Sequence, residues 1–123
     1  MRILRTLRDA FFVAVGVVSP AIAGADELAG PWIVRWENNP KNENTISLVV
    51  AAGRLSGTYT NDDKMTCAVT GNVDEGTREM ALSIICLKWD IRMQGRASTT
   101  WNRVSGDYQA YVNTKGIFSM RKN

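Results

Sequence analysis

The chain of 123 residues carries a formal net charge of +3, two cysteines, four tryptophans and no histidine. That is one domain's worth of chain. The missing imidazole excludes Ser-His-Asp and Cys-His nucleophilic sites, most zinc centres and the side chain best suited to proton transfer near neutral pH. Arg2, Arg5 and Arg8 precede an apolar run from Ala10 to Val18, which Ser19-Pro20 breaks before the small residues Ala21-Ile22-Ala23. The pattern is that of a secretory signal peptide over residues 1–23, cleaved near Ala23. Its apolar run is shorter than the roughly 17–25 residues that span a bilayer, so no membrane span is expected. Residues 24–123 form the expected single domain, periplasmic or secreted, with a formal charge of +1 once the leader's charges are gone. No dense Lys/Arg stripe remains, so no nucleic-acid partner is expected.

Gly30-Pro31 opens a strand in which Trp32, Val34 and Trp36 alternate with Ile33, Arg35 and Glu37. Alternation with period two marks a half-buried strand. Asn38 to Asn44 is polar with one proline and reads as an exposed loop. Thr45 to Ala51 and Arg54 to Thr60 predict a hairpin around Ala52-Gly53, with Ile46 facing Tyr59, Leu48 facing Gly57 and Val50 facing Leu55. Asn61-Asp62-Asp63 and Asp74-Glu75-Gly76 read as turns.

Between Lys64 and Trp89 the chain folds into a second hairpin about Gly76-Thr77. Cys67 then falls opposite Cys86, Val69 opposite Ile84, Gly71 opposite Leu82 and Val73 opposite Met80. One face is apolar throughout. Close cross-strand pairs sit about 4.5–5.5 Å apart at Cα, within the ~4.4–6.8 Å that a disulfide tolerates, and an exported domain favours the oxidised pair. Farther on, Trp89, Ile91, Met93 and Gly95 alternate with Lys88, Asp90, Arg92 and Gln94. Cys86 and Trp89 differ in parity, which places a bulge or tight turn near Leu87-Lys88. Short strands over Ser98 to Val104, Asp107 to Val112 and Gly116 to Lys122, separated by Ser105-Gly106 and Asn113-Thr114-Lys115, complete the chain.

No segment carries a helical period. The expected fold is all-β, a small antiparallel up-and-down β-barrel of about eight strands with one disulfide. A barrel of that size either fills with side chains or holds one small ligand. Trp32, Trp36, Tyr59, Trp89 and Trp101 supply rigid aromatic surface for a small apolar or aromatic ligand. No cofactor or metal is expected, and the oligomeric state stays open. Asp62, Asp63, Asp74 and Asp107 fall in turns, with no pair forced to the roughly 5–9.5 Å spacing of a glycosidase, so no enzymatic activity is expected.

Gly30-Pro-Trp32, Gly53-Arg-Leu-Ser-Gly-Thr-Tyr59, Thr70-Gly-Asn-Val-Asp74, Leu87-Lys-Trp89 and Ser98-Thr-Thr-Trp101 follow one another in an avidin-like order. The sequence in this respect resembles the calycins, the small up-and-down barrels that include lipocalins and avidins. The resemblance implies a ligand-binding barrel in which Tyr59, Trp89 and Thr99 are counterparts of ligand-contacting positions. Val34 stands where biotin binders place an asparagine, so biotin itself is not the expected ligand. A second, local resemblance joins Ser105-Gly-Asp-Tyr108 and Tyr111-Val-Asn-Thr-Lys-Gly116 to the paired motifs of periplasmic lysozyme inhibitors. It implies the alternative of an inhibitor of a secreted cell-wall hydrolase. Ser105 and Lys115, with Tyr108 between them, would then stand on exposed loops and engage an acidic cleft.

Overall fold

Eight antiparallel strands follow one another in sequence and close into a barrel. They are β1 (Gly30–Trp36), β2 (Asn39–Ala51), β3 (Arg54–Thr60), β4 (Thr66–Val73), β5 (Glu79–Ile85), β6 (Asp90–Ala97), β7 (Arg103–Ala110) and β8 (Thr114–Lys122). This computed structural model describes residues 24–110 and 114–123, so the expected leader and the β7–β8 connection lie outside the described residues. Closure comes from β1 pairing with β8, which sets Trp32 opposite Lys122 and Trp36 opposite Phe118. With that pairing the sheet has no free edge.

The two hairpins expected from alternation are present in the expected register. Across β2 and β3, Ile46 pairs with Tyr59, Leu48 with Gly57 and Val50 with Leu55. Ala52 (φ 53°) and Gly53 (φ 80°) make the turn, and a two-residue loop with both residues at positive φ matches the twist of the flanking strands. Across β4 and β5, Val69 pairs with Ile84, Gly71 with Leu82 and Val73 with Met80. Cys67 and Cys86 are joined, with Cα atoms 4.9 Å apart. Along every strand the inward positions carry the core and the outward ones meet water.

Two expectations about boundaries are corrected. Asn38 to Asn44 is not a loop, because β2 begins at Asn39 and Asn44 already pairs with Val34 of β1. The reversal near the C-terminal part lies at Ser98 to Asn102, where Ser98 Oγ accepts hydrogen bonds from the backbone N–H groups of Asn102 and Arg103. Ser105-Gly106 is therefore inside β7 rather than a turn, and of the strand expected over Ser98 to Val104 only Arg103 and Val104 belong to β7. Glycine stands at 106 because the strands approach closely there. A Cβ on Gly106 would come within 2.0 Å of the Gln94 carbonyl oxygen. The partner of Gly106 across the β7–β8 ladder is Phe118, which is buried.

A barrel with an even number of strands puts alternate turns at opposite ends. One end, the base, carries the turns at 52–53, 74–78 and 98–102, the first described residues and the C-terminus. It is sealed by a 3-10 turn, Ala25–Leu28, that no periodicity announces. Leu28 is fully buried, and its carbonyl accepts a hydrogen bond from the Trp32 indole at 2.8 Å. Lys122 lies 5.5 Å from the centre of the Trp32 ring and donates to the Ala29 carbonyl. The other end, the mouth, carries the turns at 37–38, 61–65 and 86–89.

The disulfide clamps the mouth ends of β4 and β5, and β3 sets Tyr59 opposite Cys67. It closes a loop across a sequence separation of 19 residues. Removing a native bridge from a small exported domain typically costs about 2–4 kcal/mol. Cys67→Ser is expected to lose that much in denaturant unfolding, and the wild-type protein is expected to show the same loss on reduction. An unchanged unfolding midpoint would show that the bridge carries no stability.

Candidate functional site

Among the described residues the interior is filled from the base to the middle, and a cavity opens at the mouth. Met93, Ile84, Leu82, Phe118 and Met120 occupy the centre and are buried. Above them a cavity of about 360 Å³ opens to solvent, with Trp36, Tyr59, Tyr108 and Trp89 among its walls and asparagines around its rim. Two larger grooves run along the outer wall, lined mostly by outward-facing side chains of β4 to β8, with Tyr108 reaching one and Met80 the other from the interior.

Trp36 organises the aromatic wall. Alternation along β1 turns it inward above Val34, and its ring stands edge-on to Tyr108 at 4.9 Å and to Tyr59 at 6.3 Å. Phe118 lies 6.4 Å from Trp36, outside the cavity lining, whose apolar residues besides the rings are Ile91 and Ala110. Tyr59 in turn meets Trp89 at 6.4 Å and nearly perpendicular, so the wall runs continuously as Tyr108, Trp36, Tyr59 and Trp89. Edge-to-face packing of this kind contributes about 0.5–1.5 kcal/mol per pair beyond area burial, which holds the rings rigid. Gly116 makes room for the Tyr108 ring, since a Cβ there would sit 2.8 Å from it.

Polar groups complete the mouth. The Tyr108 hydroxyl donates to Asn38 Oδ1 at 2.6 Å. Asn61 Oδ1 accepts from the backbone N–H groups of Asp63 and Met65, which shapes the β3–β4 turn. Asn44 is the exception to good packing. It is 4% exposed, it lines the cavity, and its Oδ1 has no hydrogen-bond partner among the described residues. The strand registers place it one inward step beyond Ile46 and its partner Tyr59, opposite Val34 on β1, whose next inward residue is Trp36.

Burial pushes the Tyr59 hydroxyl above its ordinary value near 10, opposed by a hydrogen bond with Trp36 and reinforced by the Asp62 carboxylate. Tyr108 is raised as well, by burial first and then by the charge of Glu37. Burial thus disfavours the phenolate at both rings, and the carboxylates of Asp62 and Glu37 add a negative field at the rim.

Of the residues singled out for a ligand, the structure brings Trp36, Tyr59 and Trp89 together at the mouth. Trp32 and Trp101 are buried at the base instead, and Thr99 is exposed in the base turn, so none of the three lines the cavity. The motif residues of the alternative reading are also redistributed. Ser105 and Lys115 stand on β7 and β8, outward and exposed, while Tyr108 points into the mouth. Tyr111 to Asn113 lie outside the described residues. Asn44 and its asparagine neighbours escaped notice because a polar run reads as a loop. Two inward apolar residues following Asn44 at period two, Ile46 and Leu48, were the available signal.

The chain matches no protein-family model, no curated protein and no solved structure. Among the described residues no cluster of His, Cys, Asp and Glu is placed to hold a metal, and no helix is long and apolar enough to cross a membrane.

An orphaned buried acceptor costs about 1–3 kcal/mol, and an apolar side chain of the same shape removes that cost. Asn44→Leu is therefore expected to raise the melting temperature by several degrees; a fall would show that Asn44 supports the fold. The raised tyrosines give a second test. The folded state holds both phenolic protons more tightly than the unfolded chain, so this contribution is intact below about pH 10 and is lost as pH climbs through the raised values. Melting temperature is expected to drop on going from about pH 9 to about pH 11, and less steeply in Tyr59→Phe. Parallel pH profiles would contradict the assignment.

Proposed function

We propose that the protein is an exported, non-enzymatic binding protein that holds one small molecule in the mouth of a calycin-like barrel. The observation that carries this reading is the mouth cavity of about 360 Å³, walled by four aromatic rings and containing a buried, unpartnered acceptor. Ligand pockets fall in the range of roughly 300–1,000 Å³ and combine apolar walls with a few fixed polar groups. A packed barrel with no ligand has no use for a buried asparagine where an apolar residue would stabilise it. An apolar or aromatic face of the ligand would lie against Trp36 and Trp89, with the disulfide holding the neighbouring strand ends in place.

The carboxylates serve other ends. Asp74 Oδ1 accepts from the Thr77 N–H to shape a turn at the base, and Asp107 faces outward on β7. Nothing in this arrangement favours the loop-borne inhibitor, whose serine sits in mid-strand and whose tyrosine is buried.

Native mass spectrometry of the protein as its own host exports it tests the reading. The expected spectrum shows the disulfide-bonded chain with a non-covalent small-molecule adduct, which Trp36→Ala loses while keeping its circular dichroism. An adduct that survives Trp36→Ala, or the bare chain alone from its host, would overturn the proposal.

A further inference from the structure

Resting on the mouth as the binding site, we infer that its ligand is a neutral saccharide, with a sugar ring against the aromatic wall and an O–H or N–H donor delivered to Asn44 Oδ1. Three observations lead there. First, Asn44 Oδ1 is an acceptor buried in the cavity with no protein donor among the described residues, so a complementary ligand must bring one. That oxygen is already out of contact with water in the free protein, so a donor brought by the ligand relieves an existing cost, which a purely apolar or aromatic ligand cannot do.

Second, the rim is made of amides. Asn38, Asn39, Asn42 and Asn61 line the cavity together with Asn44. The Oδ1 atoms of Asn38 and Asn61 are already taken by Tyr108 and by backbone N–H groups, which leaves their amide N–H groups as the donors on offer. A ring of neutral groups that both donate and accept fits a ligand bearing several hydroxyls, each of which does the same.

Third, the charge of the mouth selects against anions. Asp62 is the charged residue lining the cavity, and its carboxylate together with that of Glu37 acts on the two wall tyrosines. No cationic side chain among the described residues lines the mouth to pair with a carboxylate or phosphate. A saccharide reconciles these demands, because one face of a pyranose ring is a patch of C–H groups that lies flat on an aromatic surface. Its edge is a fringe of hydroxyls, and Asp62 can accept from one of them. The cavity is open and wide enough for one ring inside with further rings continuing outward.

Two neutral trisaccharides, triacetylchitotriose and cellotriose, serve as probes, read by quenching of tryptophan fluorescence in the full-length protein after export. N-phenyl-1-naphthylamine, a neutral apolar dye, reports separately on whether the mouth binds anything. Saturable quenching by either trisaccharide is expected, with at least a tenfold loss of affinity in Asn44→Leu and no loss of melting temperature. Preference for triacetylchitotriose would identify the donor as an acetamido N–H, and preference for cellotriose as a hydroxyl. Dye binding without binding of either trisaccharide would overturn the saccharide and leave the mouth as a site. Unchanged trisaccharide affinity in Asn44→Leu would also overturn it, and failure of dye and trisaccharides alike would remove both readings together.

Discussion

Pairing β8 back onto β1 is the constraint on which everything else in this molecule depends. Once Trp32 faces Lys122 and Trp36 faces Phe118, every inward side chain of eight strands must share one narrow interior. The middle accommodates this with glycines such as Gly95, where a Cβ would come within 3.0 Å of the Phe118 ring. Trp32 and Trp101 are consigned to one end of the barrel, Trp36 and Trp89 to the other, and the two ends are finished differently. At the base a 3-10 turn and the Trp32 indole close the barrel with a hydrogen bond and apolar contact. At the mouth the aromatic residues stand around an opening, braced edge to face rather than collapsed onto one another.

That asymmetry turns a packing problem into a site. Burial of a large apolar side chain contributes roughly 1.5–3 kcal/mol, so filling the mouth would have been the stabilising choice. Instead the inward row of β2 changes from Leu48 and Ile46 to Asn44 as it reaches the mouth, and the rim turns to asparagine. Local violations of good packing gather where function requires them. The disulfide fits the same logic from the other side of the mouth, since it fixes the end of β4, where Cys67 pairs with Tyr59, and the end of β5, which leads to Trp89.

Much of the fold was legible because alternation with period two leaves little freedom. The pairings of Ile46 with Tyr59 and Val69 with Ile84, and the bridge from Cys67 to Cys86, followed from counting residues away from two turns. What could not be read in this way were the places where inward positions are not apolar. Asn38 to Asn44 read as a loop because the inward residues of that stretch face a wet cavity, so the cue that hid β2 was the site itself. Ser105-Gly106 read as a turn because glycine marks turns and also marks strands in close approach. Trp32 and Trp101 could not be told from Trp36 and Trp89 by residue type. Only the number of strands decides which end of a barrel a given inward residue reaches.

The claim that the mouth binds and the base only packs is tested most directly by the indole signals of the four tryptophans in a ¹H–¹⁵N spectrum. The chain, freed of ligand, would be titrated with the small molecules released from protein purified from its own host. The account predicts that the Trp36 and Trp89 indoles and the Asn44 side-chain amide shift together, while Trp32, bonded to Leu28, and Trp101 stay in place. Shifts concentrated on Trp32 and Trp101, or a spectrum that does not move, would contradict it.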